Sequence, residues 1–185
     1  NTVKTVKLLD PGFYSIKKIE DFRQSEIILM NEKINETHDI INYHFIPQIE
    51  EIYNCFFNED IKKQINLLNY NHKLGLLLFG KQGTAKSSIL KYFYNKAIKE
   101  HNSIVFYFSA KNHFIELWDF ISKIRKIQTN PIIIFLDEFD EFFTEIKLEE
   151  TFKILMDGHL SIDNCMFLAA TNYIDKIPET IKNRP

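Results

Sequence analysis

Residues Gly80-Lys81-Gln82-Gly83-Thr84-Ala85-Lys86-Ser87 have the types and spacing of a loop that holds phosphate. Small residues let successive backbone N–H groups face an anion, a lysine ammonium adds a point charge, and the free amides of a following helix complete the cradle. Lys86 supplies the ammonium and Ser87 a hydroxyl suited to Mg²⁺; Ser88 extends the set into the helix. The general pattern G-x-x-x-x-G-K-[ST] carries glycine where this chain has Ala85. If that position demands a glycine-like backbone, the extra Cβ costs of order 1 kcal/mol; if it demands only room, alanine is nearly neutral. In either case nucleotide binding is expected to survive, with hydrolysis slow or ordinary.

Asp137 and Glu138 form the second chemical set, directly after the apolar run Ile132-Ile133-Ile134-Phe135-Leu136. Two carboxylates at the end of a buried strand are costly unless they face water, a metal or a partner. Beside a phosphate loop, the first acid can complete a Mg²⁺ shell with Ser87 and the second can polarise an attacking water. The plainer alternative is an exposed acidic turn. Asn172 ends a third apolar run, Met166 to Ala170, through Thr171. Its amide offers a donor and an acceptor, one for a terminal phosphate oxygen and one for the water aimed at it. Asparagine also serves as a cap or turn residue, which is the competing reading.

These groups must be carried to one place, and the intervening pattern predicts how. The β-branched run Ile132 to Leu136 reads as a central parallel strand buried on both faces. Gly75 to Phe79, Ile104 to Ser109 and Met166 to Ala170 read as its neighbours, and Ile89, Leu90, Phe93 and Ala97 give the helix after the phosphate loop an apolar stripe. The expected fold is α/β: a three-layer phosphate-loop NTPase core with a parallel sheet, helices on both faces and the ligand at the carboxyl edge of the strands. Phe114, Leu117, Ile121 and Ile124 fall at helical intervals. Ile46, Ile49, Ile52, Tyr53 and Phe56, then Ile61, Ile65 and Leu68, suggest two short helices covering the adenine edge. Residues 1–45 carry no motif; Phe13 to Ile19 and Ile27 to Met30 suggest short strands after a turn at Pro11-Gly12. The division expected is a small N-terminal element or linker, partly β, over 1–45, and the nucleotide-binding unit over 46–185.

With 185 residues, 45% of them hydrophobic, the chain can bury one good core. Its formal net charge is −2 with basic residues dispersed, so no electrostatic footprint for nucleic acid is visible. Cys55 and Cys165 lie far apart and read as reduced, small, buried apolar residues. The histidines show no ligand spacing. No run approaches the roughly 18 apolar residues of a membrane helix and no secretory leader is visible, so a cytoplasmic location without a membrane partner is expected. Heavy use of Ile, Asn, Lys and Phe fits an AT-rich genome, such as that of a phage or a low-GC bacterium.

Taken together, Gly80 to Ser87, Ile132 to Asp140, Leu155-Met156-Asp157-Gly158, Ala169-Ala170-Thr171-Asn172 and Ile177-Pro178-Glu179 through Arg184-Pro185 resemble the AAA+ ATPases, and within them the AAA family proper, over about residues 46 to 185. The resemblance implies ATP and Mg²⁺ as cofactors, with residues 80–88 and Asp137 at the nucleotide and Ser87 and Asp137 at the metal. It implies Glu138 as catalytic base, Asn172 as first sensor and Arg184 as an arginine finger given in trans, against the plain alternative of a solvated arginine. It also implies a homo-hexameric ring, nucleotide at the subunit interface, that remodels a protein substrate of unknown identity.

Departures from the family pattern temper this. Lys81 and Gln82 replace paired prolines, and the stretch before the metal strand is shorter than in protein-unfolding members. Phe114 or Trp118 is then the candidate pore aromatic, or else both pack on the sheet. A helical lid with a second sensor is absent from this chain. Two other readings stay open: a DNA-linked AAA+ ATPase of helicase or clamp-loader type, and a non-hydrolysing nucleotide-dependent structural ring subunit, for which Ala85 and the short pore region argue.

Overall fold

The computed structural model describes residues 8–21, 24–32, 46–108, 114–144, 148–157 and 161–183. In chain order its elements are β1 (Gly12–Asp21), β2 (Gln24–Glu32), α1 (Ile46–Phe56), α2 (Glu59–Leu67), β3 (Lys73–Phe79), α3 (Lys86–His101), β4 (Ile104–Phe108), α4 (Phe114–Ile127), β5 (Ile132–Leu136), α5 (Glu141–Thr144), α6 (Glu149–Asp157), β6 (Cys165–Thr171), a 3₁₀ turn (Ile174–Lys176) and α7 (Glu179–Lys182). The strands form one sheet in the order β2-β1-β4-β5-β6-β3. β1, β4, β5, β6 and β3 run parallel, and β2 pairs antiparallel with β1.

Period-two alternation along strands buried on both faces builds two cores. Ile132, Ile134 and Leu136 of β5 face α4 and α6 together with Ile104, Phe106, Phe108, Phe167 and Ala169. Ile133 and Phe135 face α1 and α3 with Val105, Met166, Leu168 and Ala170. Each such Ile or Phe contributes about 1.5–3 kcal/mol relative to exposure, which explains why the expected α/β core with both sheet faces covered is the one formed. On α3 the expected stripe of Ile89, Leu90, Phe93 and Ala97 is buried. The helix stops at Asn102, whose left-handed backbone (φ 52, ψ 37) returns its N–H to the Ala97 carbonyl.

The first strand joins the sheet rather than standing beside it. β1 pairs with β4 from Gly12 opposite Ile104 to Ser15 opposite Tyr107, and Phe13 and Tyr14 enter opposite cores. A boundary at residue 46 therefore does not separate two sheets; residues 33–45 lie outside the described ones. Phe114 and Trp118 are both buried. Phe114 stacks on Phe152 at 4.5 Å and Trp118 on Phe167 at 5.9 Å, so of the two readings offered for them, packing in the core is the one observed. Cys165 is buried but Cys55 is exposed, correcting the expectation that both are internal. Burial pushes the Cys165 thiol up to about 12.

α1 buries Ile49, Tyr53 and Phe56 toward α3, whereas α2 has no buried residue. No residue of either helix lines the cleft at the phosphate loop. Phe56, Phe57, Glu59 and Lys62 instead share a hollow with Thr129, Asn130, Pro131 and Asn164, at the starts of β5 and β6. The apolar spacing specified the helices but not the edge of the sheet they would meet. Among the described residues no helix is long and apolar enough to cross a membrane.

Candidate active site

Strand order decides what meets at the carboxyl edge. β6 lies between β3 and β5, with Phe79 opposite Thr171 and Leu136 opposite Ala169. The chain therefore leaves three adjacent strands into the phosphate loop, the twin acids and Asn172. These segments surround a cleft of about 300 Å³ lined by residues 82–88, Asp137, Glu138 and 170–172.

Within the loop, Gly80 (φ 151) and Gly83 (φ 80) take backbone angles that L side chains rarely adopt. Ala85 is itself left-handed (φ 61, ψ 19). The alternative left open by its sequence thus resolves toward strain: this position does favour glycine, and its Cβ costs of order 1 kcal/mol. Ala85 precedes the first turn of α3 without a side-chain cap, and that turn contains no acid. Its amides and dipole are left for an external anion. Lys86 Nζ donates to the Gly80 and Lys81 carbonyls, each at 2.9 Å, and to Asn172 Oδ1 at 2.8 Å. One ammonium thereby ties the phosphate loop to the tip of β6.

Across the cleft, Ser87 Oγ donates to Asp137 Oδ1 at 3.0 Å. Asp137 is half-buried, Glu138 and Asn172 are exposed, and the Glu138 N–H donates to Asp137 Oδ1 at 3.2 Å. Glu138 is also left-handed, at φ 52. Among the described residues the non-glycine positions with positive φ are Asn69, Asn102, Asn164, Ala85 and Glu138. Asparagine tolerates this region; alanine and glutamate do not, and both of those line the cleft. Strain at residues ill suited to it accumulates where surroundings over-determine the backbone, as at ligand sites.

The acid turn is fastened to β6. The Phe139 N–H donates to the Ala170 carbonyl at 2.9 Å, and Thr171 Oγ1 donates to Asp140 Oδ1 at 2.5 Å. Lys176 Nζ lies 3.8 Å from the other Asp140 oxygen.

The structure thus brings Gln82, Gly83, Thr84, Ala85, Lys86, Ser87, Ser88, Asp137, Glu138 and Asn172 to one cleft. Gly80 and Lys81 do not line it but accept from Lys86. Arg184 and Gly158 lie outside the described residues. Sequence reasoning missed Thr171 and Asp140. A signal was present for the latter, a carboxylate embedded in the run Phe139-Asp140-Glu141-Phe142-Phe143, since an acid drawn inward by aromatic neighbours must find a partner.

Chemically, the cleft offers backbone amides and a lysine for phosphate, paired hard oxygens for a cation, and a carboxylate and an amide for a water. Among the described residues no three His, Cys, Asp or Glu side chains gather to cage a metal by themselves. Ser87 and Asp137 fit a cation that keeps waters and takes further oxygens from a phosphate, as Mg²⁺ does.

No curated protein matches the chain. Among solved structures, a threonine-to-valine variant of RuvB from Thermotoga maritima matches at 14% identity with a TM-score of 0.41, covering 73% of this chain and 42% of that one. This chain thus spans less than half the length of that structure. The family model described as ATPase family associated with various cellular activities matches residues 76–184. That span runs from the strand ahead of the phosphate loop to one residue past the last described one, taking in every group that lines the cleft, and so the chain belongs to the AAA family, the ATPase family associated with various cellular activities.

Proposed function

We propose that the cleft binds ATP with Mg²⁺ and hydrolyses it at a subunit interface of a homo-hexameric ring that remodels a protein substrate. One observation carries the reading: Ser87 Oγ and Asp137 Oδ1 lie 3.0 Å apart, in the same cleft as Lys86 and Asn172. A hydroxyl and a carboxylate brought together from a helix start and a strand end, over fifty residues of chain, make a joint site for the cation that accompanies a polyphosphate.

In this reading residues 80–88 hold the phosphates. The loop amides and the α3 terminus neutralise charge without rearrangement, and Lys86 turns from the Gly80 and Lys81 carbonyls toward the terminal phosphates. Ser87 and Asp137 hold Mg²⁺, which supplies charge neutralisation of the phosphates when bound. Glu138, exposed at the mouth of the cleft, accepts the proton of the attacking water. Asn172, now bonded to Lys86, is released to contact the terminal phosphate once Lys86 engages nucleotide. Arg184 is proposed to complete the neighbouring subunit's site, where an arginine finger is worth about 10³ to 10⁵ in rate. A protein substrate is compatible with the near-neutral formal net charge of −2, and a cytoplasmic setting is part of the same proposal.

Single-turnover hydrolysis at high protein concentration, in parent and Glu138→Gln proteins, tests the assignment. Glu138→Gln is expected to bind ATP as the parent does while losing phosphate release by at least about 100-fold. Equal turnover by the two removes Glu138 from its role. Chelation of Mg²⁺ is expected to abolish parental turnover, and size-exclusion with light scattering in ATP and Glu138→Gln background reads the ring directly. Salt-sensitive stimulation by DNA would move the substrate assignment to nucleic acid.

A further inference from the structure

The bond between Thr171 and Asp140 has no place in the phosphate, metal or water roles above, and its features are those of a built contact. Asp140 is 4% exposed and Thr171 2%. The hydroxyl donates its only proton to Asp140 Oδ1 at 2.5 Å and accepts the Tyr173 N–H at 2.9 Å. Although Thr171 borders the cleft, no donor remains on that hydroxyl for a ligand. A carboxylate this deeply buried is costly unless bonded, and among the described residues Lys176, at 3.8 Å from Asp140 Oδ2, is its cationic neighbour.

Position in the chain gives the bond its consequence. Asp140 stands two residues after Glu138, and Thr171 immediately precedes Asn172. Glu138 sits in a left-handed conformation at φ 52, which persists only where the surroundings hold it. Beyond the Glu138 N–H bond to Asp137 Oδ1 at 3.2 Å, the holding bonds are Glu141 N–H to the Glu138 carbonyl at 2.9 Å, Phe139 N–H to the Ala170 carbonyl at 2.9 Å, and Thr171 to Asp140. The first is internal to the turn. The other two cross to β6, and only the last is made by side chains.

We infer that Asp140 and Thr171 are a positioning pair that sets the Glu138 carboxylate against the Asn172 amide for hydrolysis, without either touching nucleotide through its hydrogen-bonding atoms. The inference rests on the roles proposed above for Glu138 and Asn172. Small displacements of a reacting group lower turnover steeply, by about 100-fold for 1 Å, whereas phosphate binding depends on the loop after β3, which the pair does not hold. Loss of the bond therefore separates turnover from binding.

The test measures kcat, KM for ATP, equilibrium binding of a fluorescent ATP analogue and thermal melting across a small set of variants. Thr171→Val keeps shape and β-branching but removes the hydroxyl; kcat is expected to fall about 10- to 100-fold with KM and nucleotide affinity within about threefold. Thr171→Ser restores kcat to within about threefold, because the donor returns. Asp140→Ala lowers kcat like Thr171→Val, and the double variant is no slower than the worse single one, since both delete one contact. Should Thr171→Val fail to fold, Asp140→Asn supplies the comparison: it keeps an oxygen for Thr171 and is expected to stay within about threefold of the parent, well above Asp140→Ala.

A Thr171→Val protein that melts lower but turns over at the parental rate per folded molecule overturns the inference, as does a doubled loss in the double variant. Glu138→Gln in the same assay keeps the two levels apart. If Glu138→Gln is inactive and Thr171→Val normal, the positioning pair alone falls. If Glu138→Gln equals the parent, the assignment of Glu138 falls and takes the pair with it.

Discussion

The two edges of the sheet solve the same problem with different residues. At the amino edge, where β4, β5 and β6 begin, the turns are stitched by side chains bonding to backbone. Arg125 donates to the carbonyls of Gln128 at 3.0 Å, Asn130 at 2.7 Å and Asn164 at 3.3 Å. Asn130 reaches the Asn102 carbonyl at 2.9 Å, and Asn164 the Thr129 carbonyl at 3.1 Å. Gln128 exchanges two bonds of 2.8 Å with the Leu9 backbone. Left-handed positions at this edge are Asn102 and Asn164, a residue type that accepts the conformation.

At the carboxyl edge the left-handed non-glycines among the described residues are Ala85 and Glu138, and the polar groups, though Lys86 bonds Asn172 and Ser87 bonds Asp137, border an open cleft. One edge is organised for stability with fitting residues. The other keeps unfitting ones because the position of an amide or a carboxylate there matters more than its local cost, of order 1 kcal/mol each.

Substitutions at each edge can break this contrast. The largest effect is expected from Lys86→Ala at the carboxyl edge: nucleotide affinity falls by about 100-fold, or ~2.7 kcal/mol, while the melting temperature changes little. A large loss of stability would show that the Lys86 bonds to Gly80, Lys81 and Asn172 hold the fold instead.

Arg125→Ala at the amino edge is expected to do the reverse. It strands carbonyls of three turns and lowers stability by about 2–3 kcal/mol, a drop in melting temperature of roughly 4–12 °C for a chain this long, with hydrolysis per folded molecule unchanged. Reduced turnover at full folding would couple the edges.

A smaller, pH-dependent effect belongs to the amino edge as well. His72 is buried, with its ring stacked on Phe56 at 4.6 Å, and burial lowers its pKa below the ordinary 6.5 despite nearby Asp163 and an Asn164 hydrogen bond. The unfolded ring takes a proton near pH 6.5 and the folded ring only at lower pH, so acidification favours the unfolded chain. Stability is expected to be full above about pH 6.5 and to decline below it; His72→Phe should flatten the decline in melts taken across that range. An unchanged slope would assign it to other groups, His101 among them, whose pKa burial also lowers.

The smallest effect sharpens the comparison at its source. Ala85→Gly removes a Cβ from a left-handed position and is expected to raise stability by less than about 1 kcal/mol, since relief of strain is offset by greater freedom of the unfolded chain. Its hydrolysis should equal or exceed the parent's. A slower Ala85→Gly enzyme would mean that the alanine contributes directly to the loop's shape.

Much of this was legible in the residues because the signals are local. The Gly80 to Ser87 loop declares itself by small residues and a lysine-serine pair at fixed spacing, and Ile132 to Leu136 by an apolar run that can be stable only with both faces covered. The stripe on α3 follows from the helical period alone. Neighbour relations were not legible in this way. α1 and α2 were recognisable as helices, but their apolar faces carry no information about which sheet edge they meet, and α2 is left with no buried residue.

What the chain by itself determined, then, is the inventory: a phosphate loop, two acids after a buried strand, and an amide after another. Tertiary structure alone decided that β6, the last strand, inserts between β3 and β5, that β1 extends the sheet beside β4, and that Ala85 is left-handed. It also decided that Asp140 turns inward to Thr171. The physical reason is range: propensity and period act over a few residues, whereas strand order and a bond between residues thirty-one positions apart depend on how two cores pack at once.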